Sequence, residues 1–167
     1  MPFRVATSIV LGILTSVLFA LATSGLGPFL SGPRAARAAQ QACAPTAPDA
    51  EGPFYKPNAP ERASIGHGLA ISGAVRTTGS CAPIPRARIA WWQVNSQGQY
   101  DGAHRASQTA DAEGRYRFET DSPVGYFGRP PHVHVRVEAP GHRTLITQIY
   151  PKAGQTEIAF DFVLRPQ

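Results

Sequence analysis

Residues 132–139 read HVHVRVEA, and this stretch decides the fold. Valine occupies every second position from Val133 onward, and polar side chains stand between the valines. Successive side chains of a β-strand point to opposite faces, so the valines predict a face that packs into a core. His132 and His134 then share the other face, with their Cα atoms about 6.5–7 Å apart. Two imidazoles at that separation can close on one metal ion.

Five further stretches alternate in a similar way and are separated by turns rich in Gly, Pro, Ser and Asp. They are residues 69–77, 87–95, 115–120, 144–150 and 157–165. Six short strands at this spacing are typical of an antiparallel β-sandwich, and no long helix is predicted after the leader. Residues 27–50 are rich in Pro, Ala, Gly and Ser and are predicted to be a flexible linker.

The first 38 residues form a leader of different composition. Arg4 precedes an apolar run at residues 5–19, and the small-x-small pattern ALA follows at residues 20–22, as in a secretory signal peptide. An uncleaved membrane anchor is the alternative, although glycine and proline after the run make a continuous span of about 20 residues less favourable. We therefore expect a signal peptide or membrane anchor with linker at residues 1–38 and one domain at residues 39–167. The protein is expected to be exported to the periplasm or the extracellular space.

Charge and cysteine content narrow the class of partner and the compartment. The chain carries 16 Lys and Arg and 11 Asp and Glu, and three arginines lie in the leader, which leaves 13 basic residues in the domain. These are scattered rather than clustered, which argues against nucleic acid as a partner. The only cysteines are Cys43 and Cys81. An even number in an oxidising compartment predicts one disulfide, and two unpaired small apolar side chains are the alternative.

The residues just before the histidine pair carry further chemistry. Residues 123–131 read PVGYFGRPP, so Tyr126 and Arg129 lead into the pair through two prolines that fix the backbone. Tyr100 closes another turn. Neutral tyrosine, with a pKa of about 10, is a poor ligand, but a hard trivalent cation stabilises the phenolate. Phenolate and imidazole together favour iron over calcium or magnesium.

Six motifs follow one another in order along residues 51–164. They are EGPFY (51–55), GAV with the later PIPRA (73–75 and 83–87), WWQVNSQGQY (91–100), EGRYRFET (113–120), GYFGRPPHVHV (125–135) and LITQIY (145–150). This series resembles the intradiol ring-cleavage dioxygenases, which include the catechol, hydroxyquinol and protocatechuate dioxygenases. The resemblance implies an all-β, prealbumin-like antiparallel β-sandwich behind the leader. The segment from Tyr126 to His132 is shorter than in the protocatechuate enzymes.

The resemblance also implies a cofactor, which is a non-haem ferric ion, Fe(III), held by two tyrosines and two histidines. The residues that match these four positions are Tyr100, Tyr126, His132 and His134. Tyr126 is further expected to release the metal and accept a proton, and Arg129 to stabilise negative charge on the substrate.

Fewer motifs predict the residues that contact the substrate. Gln148 matches the glutamine of the L-x-T-Q motif and is expected to orient the substrate. Three residues of the EGPFY motif are expected to line the substrate pocket or, equally, to pack against the domain; they are Pro53, Phe54 and Tyr55.

The activity implied is cleavage of a catechol-type ring between its two hydroxylated carbons, with both atoms of O2 entering the product. Two alternatives stay open. A non-catalytic, secreted prealbumin-like binding module would share the motifs that build the sandwich, but it would not require the tyrosine, arginine and histidines. A cupin-like metalloenzyme would use His132 and His134 with Glu138, but the sequence lacks the second histidine motif of a cupin. A membrane tether through the leader is a further alternative to free secretion.

Overall fold

The computed structural model describes residues 43–167, so the predicted leader and the domain boundary after residue 38 lie outside the described residues. Within the described part the chain forms eight strands and contains no helix that could cross a membrane. The strands are β1 Gly68–Thr77, β2 Arg88–Val94, β3 Tyr100–Thr109, β4 Arg115–Asp121, β5 Val133–Glu138, β6 Leu145–Ile149, β7 Glu157–Ala159 and β8 Phe162–Leu164.

The strands form two sheets. One has the order β4-β1-β7, with β8 also paired to β1, and the other has the order β3-β2-β5-β6. Neighbours are antiparallel, except that β7 and β8 each run parallel to β1. The prediction of an all-β sandwich is confirmed, and the parallel contacts involve only the two short C-terminal strands.

The core lies between the sheets and follows the predicted alternation. Val133, Val135 and Val137 are fully buried there. Trp91 stacks on Phe118 with ring centroids 4.4 Å apart and nearly parallel planes. Full burial of each large apolar side chain contributes about 1.5–3 kcal/mol, so this face fixes how β2 and β5 lie against the opposite sheet.

Two differences from the predicted strands have clear physical causes. The strand β3 was not predicted because its sequence, YDGAHRASQT, lacks apolar alternation, and only pairing with β2 makes it a strand. The stretch 157–165 divides into β7 and β8 because the Asp161 carboxylate accepts hydrogen bonds from the Ala74 amide and from Arg76, both 2.8 Å long, and interrupts the ladder.

Residues 46–62, here called the covering segment, cross the outer face of the sheet β3-β2-β5-β6. The Asp49 amide donates to Ile146 of β6 over 2.9 Å, and the Arg62 amide donates to Ser107 of β3 over 2.9 Å. The prediction of a flexible linker was therefore wrong for residues 43–50, because main-chain hydrogen bonds fix this part to the sandwich. Just before it, Cys43 lies beside Cys81, with Cα atoms 5.3 Å apart, a separation that a disulfide can span.

Candidate active site

One row of four polar or aromatic side chains crosses the outer face of the sheet, and the covering segment buries it. In the strand register Trp92 of β2 lies between Arg105 of β3 and His134 of β5, and His134 lies beside Gln148 of β6. All four are less than 7% exposed, because the covering segment lies above them. Trp92 stacks on His134 with ring centroids 4.9 Å apart and fixes the plane of the imidazole.

An irregularity in β3 brings Tyr100 towards this row. Trp92 pairs with Arg105 and Val94 pairs with Tyr100, so β2 advances two residues while β3 advances five. Such bulges redirect a side chain at the end of a strand. Arg105 supports the bulge, because its guanidinium donates to the main-chain oxygen of Asp101 over 2.9 Å and also to that of Phe54 on the covering segment.

The Asp101 carboxylate stabilises the same bulge from the other side. It accepts hydrogen bonds from the His104 amide and Nδ1 atom, at 2.9 and 2.8 Å, and from Asn95. Burial opposes ionisation, but these hydrogen bonds outweigh it and lower the pKa of Asp101 to about 2. The bulge is therefore held by charge-assisted hydrogen bonds at neutral pH.

A tight turn presents Tyr126 and Arg129. The Arg129 amide donates to the Tyr126 carbonyl over 2.8 Å, and the two residues between them have positive φ, with +46° at Phe127 and +76° at Gly128. Positive φ at both central positions defines a type I′ turn. Phenylalanine is a poor residue for that region, and the strain is of order 1–3 kcal/mol.

The four predicted ligand atoms converge at one point. The Tyr100 hydroxyl lies 2.7 Å from the Tyr126 hydroxyl and 2.9 Å from His134 Nε2. His134 Nε2 in turn lies 3.1 Å from His132 Nε2. Donors that lie about 2.1 Å from a shared ion at nearly right angles are themselves about 3 Å apart, so the set has the spacing of a metal centre.

Both histidines are in the form that binds a metal. His132 Nδ1 donates to the Pro130 carbonyl over 2.7 Å, which leaves a lone pair on Nε2. Burial, then the charges of His132 and Arg129, lower the pKa of His134 to about 3. Burial also lowers the pKa of His132. The two imidazoles are therefore neutral at neutral pH, as metal ligation requires.

The tyrosines complete the donor set only if a cation is present. Burial, and then the hydrogen bond with Tyr126, raise the pKa of Tyr100, so its phenol stays protonated by itself at neutral pH. Within residues 43–167 no group of three or more His, Cys, Asp or Glu side chains is placed to hold a metal. A centre here therefore needs phenolates, which a trivalent ion such as Fe(III) stabilises, and the residues fit that ion.

The structure also brings Arg129 and Gln148 together. The Arg129 guanidinium donates to Gln148 Oε1 over 2.7 Å, and Gln148 Nε2 donates to the Ala50 carbonyl over 2.6 Å. The Tyr150 hydroxyl lies 2.9 Å from both Gln148 Oε1 and the Asp49 carboxylate. Gln148 thus links Arg129 to the covering segment.

The residues of the EGPFY motif take different positions. Phe54 stacks on Tyr100 with ring centroids 4.2 Å apart, so it lies beside the donors. Tyr55 packs instead against Trp92 and beneath the Arg136 guanidinium. Pro53 precedes both aromatic residues and is exposed.

The cupin alternative finds no support in the geometry. Glu138 pairs with Arg136 at the far end of β5, and the nearest histidine there, His142, contacts Thr77 of the other sheet. Neither side chain reaches the converging donors of His132 and His134.

The sequence did not predict the supporting roles of four residues at the site, which are Asp49, Trp92, Arg105 and Tyr150. Tyr150 ends the LITQIY motif and Trp92 lies in the WWQVNSQGQY motif, so both carried a signal. Asp49 and Arg105 carried none, because their roles depend on partners that are distant in sequence.

Comparison with known proteins gives one consistent group. A scan against protein-family models finds no match. The catechol 1,2-dioxygenase of Candida albicans is 34% identical, over 59% of this chain and 45% of that protein. The hydroxyquinol 1,2-dioxygenase of Rhodococcus opacus is 35% identical, over 59% of this chain and 44% of that protein. The chain therefore spans less than half the length of these two curated relatives.

A solved structure matches over its full length. The dioxygenase domain of a dioxygenase–carbohydrate-binding protein fusion from Streptomyces sp. SirexAA-E is 31% identical, with a TM-score of 0.67, over 74% of this chain and 100% of that domain. An intradiol ring-cleavage dioxygenase from Tetranychus urticae has the same fold, with a TM-score of 0.66 at 20% identity over 74% of this chain and 96% of that one. With its sandwich, its four converging donors and these relatives, the chain belongs to the intradiol ring-cleavage dioxygenase family.

Proposed function

We propose that the protein cleaves the ring of a catechol-type substrate between its two hydroxylated carbons, with O2 as the second substrate. The observation that carries this proposal is the convergence of two phenols and two imidazoles within 2.7–3.1 Å contacts on a covered sheet face. The relatives named catechol and hydroxyquinol 1,2-dioxygenase support the same reaction.

The cofactor in this proposal is a non-haem ferric ion held by Tyr100, Tyr126, His132 and His134. When bound, such an ion supplies a Lewis acid that gathers both catechol oxygens and activates the ring towards O2. The main-chain carbonyl of Pro130 keeps His132 in the correct tautomer, and Trp92 keeps the His134 ring in its plane. These neighbours orient the ligands, as in other metal sites.

Tyr126 is the residue assigned to receive the substrate proton at its phenol oxygen. It lies at the end of a two-residue turn and is half-buried, whereas Tyr100 is additionally stacked under Phe54 and bonded to His134. Tyr126 is therefore freer to move than Tyr100, and a phenolate oxygen is a base of suitable strength for a catechol hydroxyl.

Arg129 is assigned the role of stabilising the negative charge that develops on the substrate ring. Gln148 fixes the guanidinium through a 2.7 Å hydrogen bond, and Gln148 is itself fixed by Ala50 and Tyr150. A preorganised cation in a site with little water stabilises such charge without reorganisation.

The decisive experiment measures metal, colour and product together. Purified protein should contain one iron per chain, show phenolate-to-iron absorption in the visible range, and convert catechol to a ring-opened diacid. Tyr100→Phe should lose iron, whereas the matched control Tyr116→Phe, which removes a hydroxyl from the core, should keep it. Stoichiometric zinc with no visible band would refute the ligand set. A ring-opened semialdehyde would mean cleavage beside the hydroxylated carbons. Unchanged substrate across a broad panel of catechols at full iron loading would mean a binding module.

We also propose that the chain is exported, with residues 39–167 as the folded unit. The short Cα–Cα distance of Cys43 and Cys81 supports a bridge that an oxidising compartment would preserve. Mass spectrometry of protein from the native compartment tests both proposals. A mature form that starts within the first 40 residues and lacks two hydrogens is expected, an intact leader with membrane association would indicate a tether, and two free thiols would contradict the bridge.

A further inference from the structure

The exposed aromatic side chains are gathered around the candidate iron ligands. Among residues 43–167 the exposed large hydrophobic side chains are Phe54, Phe127 and Tyr150, at 41%, 93% and 44% exposure. Phe54 stacks on Tyr100, with ring centroids 4.2 Å apart. Phe127 lies edge-on to Tyr126 at 5.7 Å, and Tyr150 lies 5.8 Å from His132. Each exposed ring therefore contacts a different ligand, and we call the three residues the aromatic rim.

Two features of Phe127 are energetically unfavourable. Its side chain is almost fully in water, and its φ of +46° is in the left-handed region that bulky residues avoid. Asparagine or glycine would suit this turn position better. Neither cost is offset by packing in the fold, so the ring is best explained by what it contacts outside the chain.

The space around Phe127 is open enough to admit a ring. A Cβ atom added at the neighbouring Gly128 would meet nothing within 4 Å. Between the turn at residues 96–98 and the segment at residues 124–127 lies a cleft of about 390 Å³, which Phe127 and Tyr126 line. Ligand sites have volumes of about 300–1,000 Å³, so the cleft can hold a group beyond the ring that is cleaved.

We propose that the aromatic rim binds an aryl substituent of the substrate, so that the preferred substrate is an aryl-substituted catechol rather than a single-ring catechol. Phe127 is the specificity-determining residue, because it lines the cleft together with the ligand Tyr126 and lies edge-on to the Tyr126 ring. This inference rests on the proposed function, since it places the cleaved ring at the four ligands.

The test uses Phe127→Asn with catechol and 4-phenylcatechol as substrates of the iron-loaded protein. Loss of one aromatic contact should lower kcat/KM for 4-phenylcatechol about 5-fold to 10-fold more than it lowers kcat/KM for catechol. The same substitution relieves the strained φ, so the melting temperature of the metal-free protein should rise by about 2–6 °C. A residue with a purely structural role would lower the melting temperature and affect both substrates alike.

The matched control is Arg86→Asn. Arg86 is exposed, has a φ of +55° and precedes β2 at the end of the sheet opposite the ligands. This variant should raise the melting temperature to a similar extent and leave the ratio of the two kcat/KM values unchanged. Anaerobic isothermal titration of 4-phenylcatechol gives a readout without turnover, and Phe127→Asn should weaken its binding by the same factor.

Three results would overturn the inference. The first is cleavage of both substrates with an unchanged ratio in Phe127→Asn. The second is equal binding of 4-phenylcatechol by this variant and the natural protein in the titration. This result would refute the role of the rim even if neither substrate is cleaved and the proposed function itself fails. The third is a dimer, seen by sedimentation velocity, that Phe127→Asn dissociates without altering the ratio, because the rim would then be an interface between two copies of the chain.

Discussion

Acid should destabilise the metal-free protein through His134. This side chain is 1% exposed, and its burial, followed by the charges of His132 and Arg129, lowers its pKa from 6.5 to about 3. The unfolded chain therefore binds a proton at a higher pH than the folded chain does. The contribution of His134 to the free energy of unfolding is fully present above pH 6.5 and decreases as the pH falls. The decrease ends near pH 3, where His134 of the folded form also becomes protonated.

The two pKa values set the size of the effect. A shift of one unit corresponds to about 1.4 kcal/mol, so His134 should lower the free energy of unfolding by about 2 kcal/mol between pH 8 and pH 5, and by about 3 kcal/mol at pH 4. A change of about 2 kcal/mol is a large part of the stability of a domain of this size. His132 adds a loss of the same sign, since burial also lowers its pKa.

Urea denaturation of the metal-free protein at several values from pH 8 to pH 5 measures this loss. The glutamine of the His134→Gln variant does not titrate. Between pH 8 and pH 5 the free energy of unfolding of this variant should therefore fall by about 2 kcal/mol less than that of the natural protein. The control His142→Gln removes a histidine from the turn after β5 and keeps His134, so it should retain the loss of about 2 kcal/mol that His134 causes. Parallel curves for His134→Gln and the natural protein would refute the reasoning.

Three further predictions concern the site and its support. Arg129→Leu should retain iron and colour but lose about 10²–10³ in kcat, measured as oxygen uptake; loss of iron together with activity would show that Arg129 only supports the ligand turn. Tyr150→Phe removes the hydroxyl that contacts Gln148 and should lower kcat about 2-fold to 10-fold at unchanged iron content, and an unchanged kcat would contradict a positioning role. Cys43→Ser should reduce the free energy of unfolding by about 2–4 kcal/mol in urea, and equal stability would contradict a native bridge.

A strand could be predicted from the sequence where every second side chain is apolar and packs into the core. Alternating valines specified β5, and its two faces are as predicted. The strand β3 was missed because its outward residues Arg105 and Ser107 bond to the covering segment, and Ala106 is its only residue in the core cluster. Its position depends on its pairing with β2, which a one-dimensional pattern does not report.

The site was predictable where its residues lie close together in sequence. Tyr126, Arg129, His132 and His134 fall within nine positions, and a strand with a preceding turn brings them together. The contribution of the covering segment was not predictable, because the Asp49 and Phe54 contacts join residues that are about 50–100 positions apart. Composition assigned residues 46–50 of this segment to a linker, since their order comes from hydrogen bonds rather than from apolar burial.

The covering segment explains how the proposed metal site can lie on the outside of a sandwich. The space between the sheets is filled by apolar side chains, and a polar group there without partners would cost several kcal/mol. The proposed ligands must therefore face outward, where water would weaken the electrostatic contribution proposed for Arg129. Residues 46–62 lie over that face and leave His132 and His134 1% exposed. Arg105 fastens this cover to the strand that carries Tyr100, so one buried guanidinium holds both the cover and a ligand. The aromatic rim stays exposed beside the proposed ligands, where it can contact the proposed substrate.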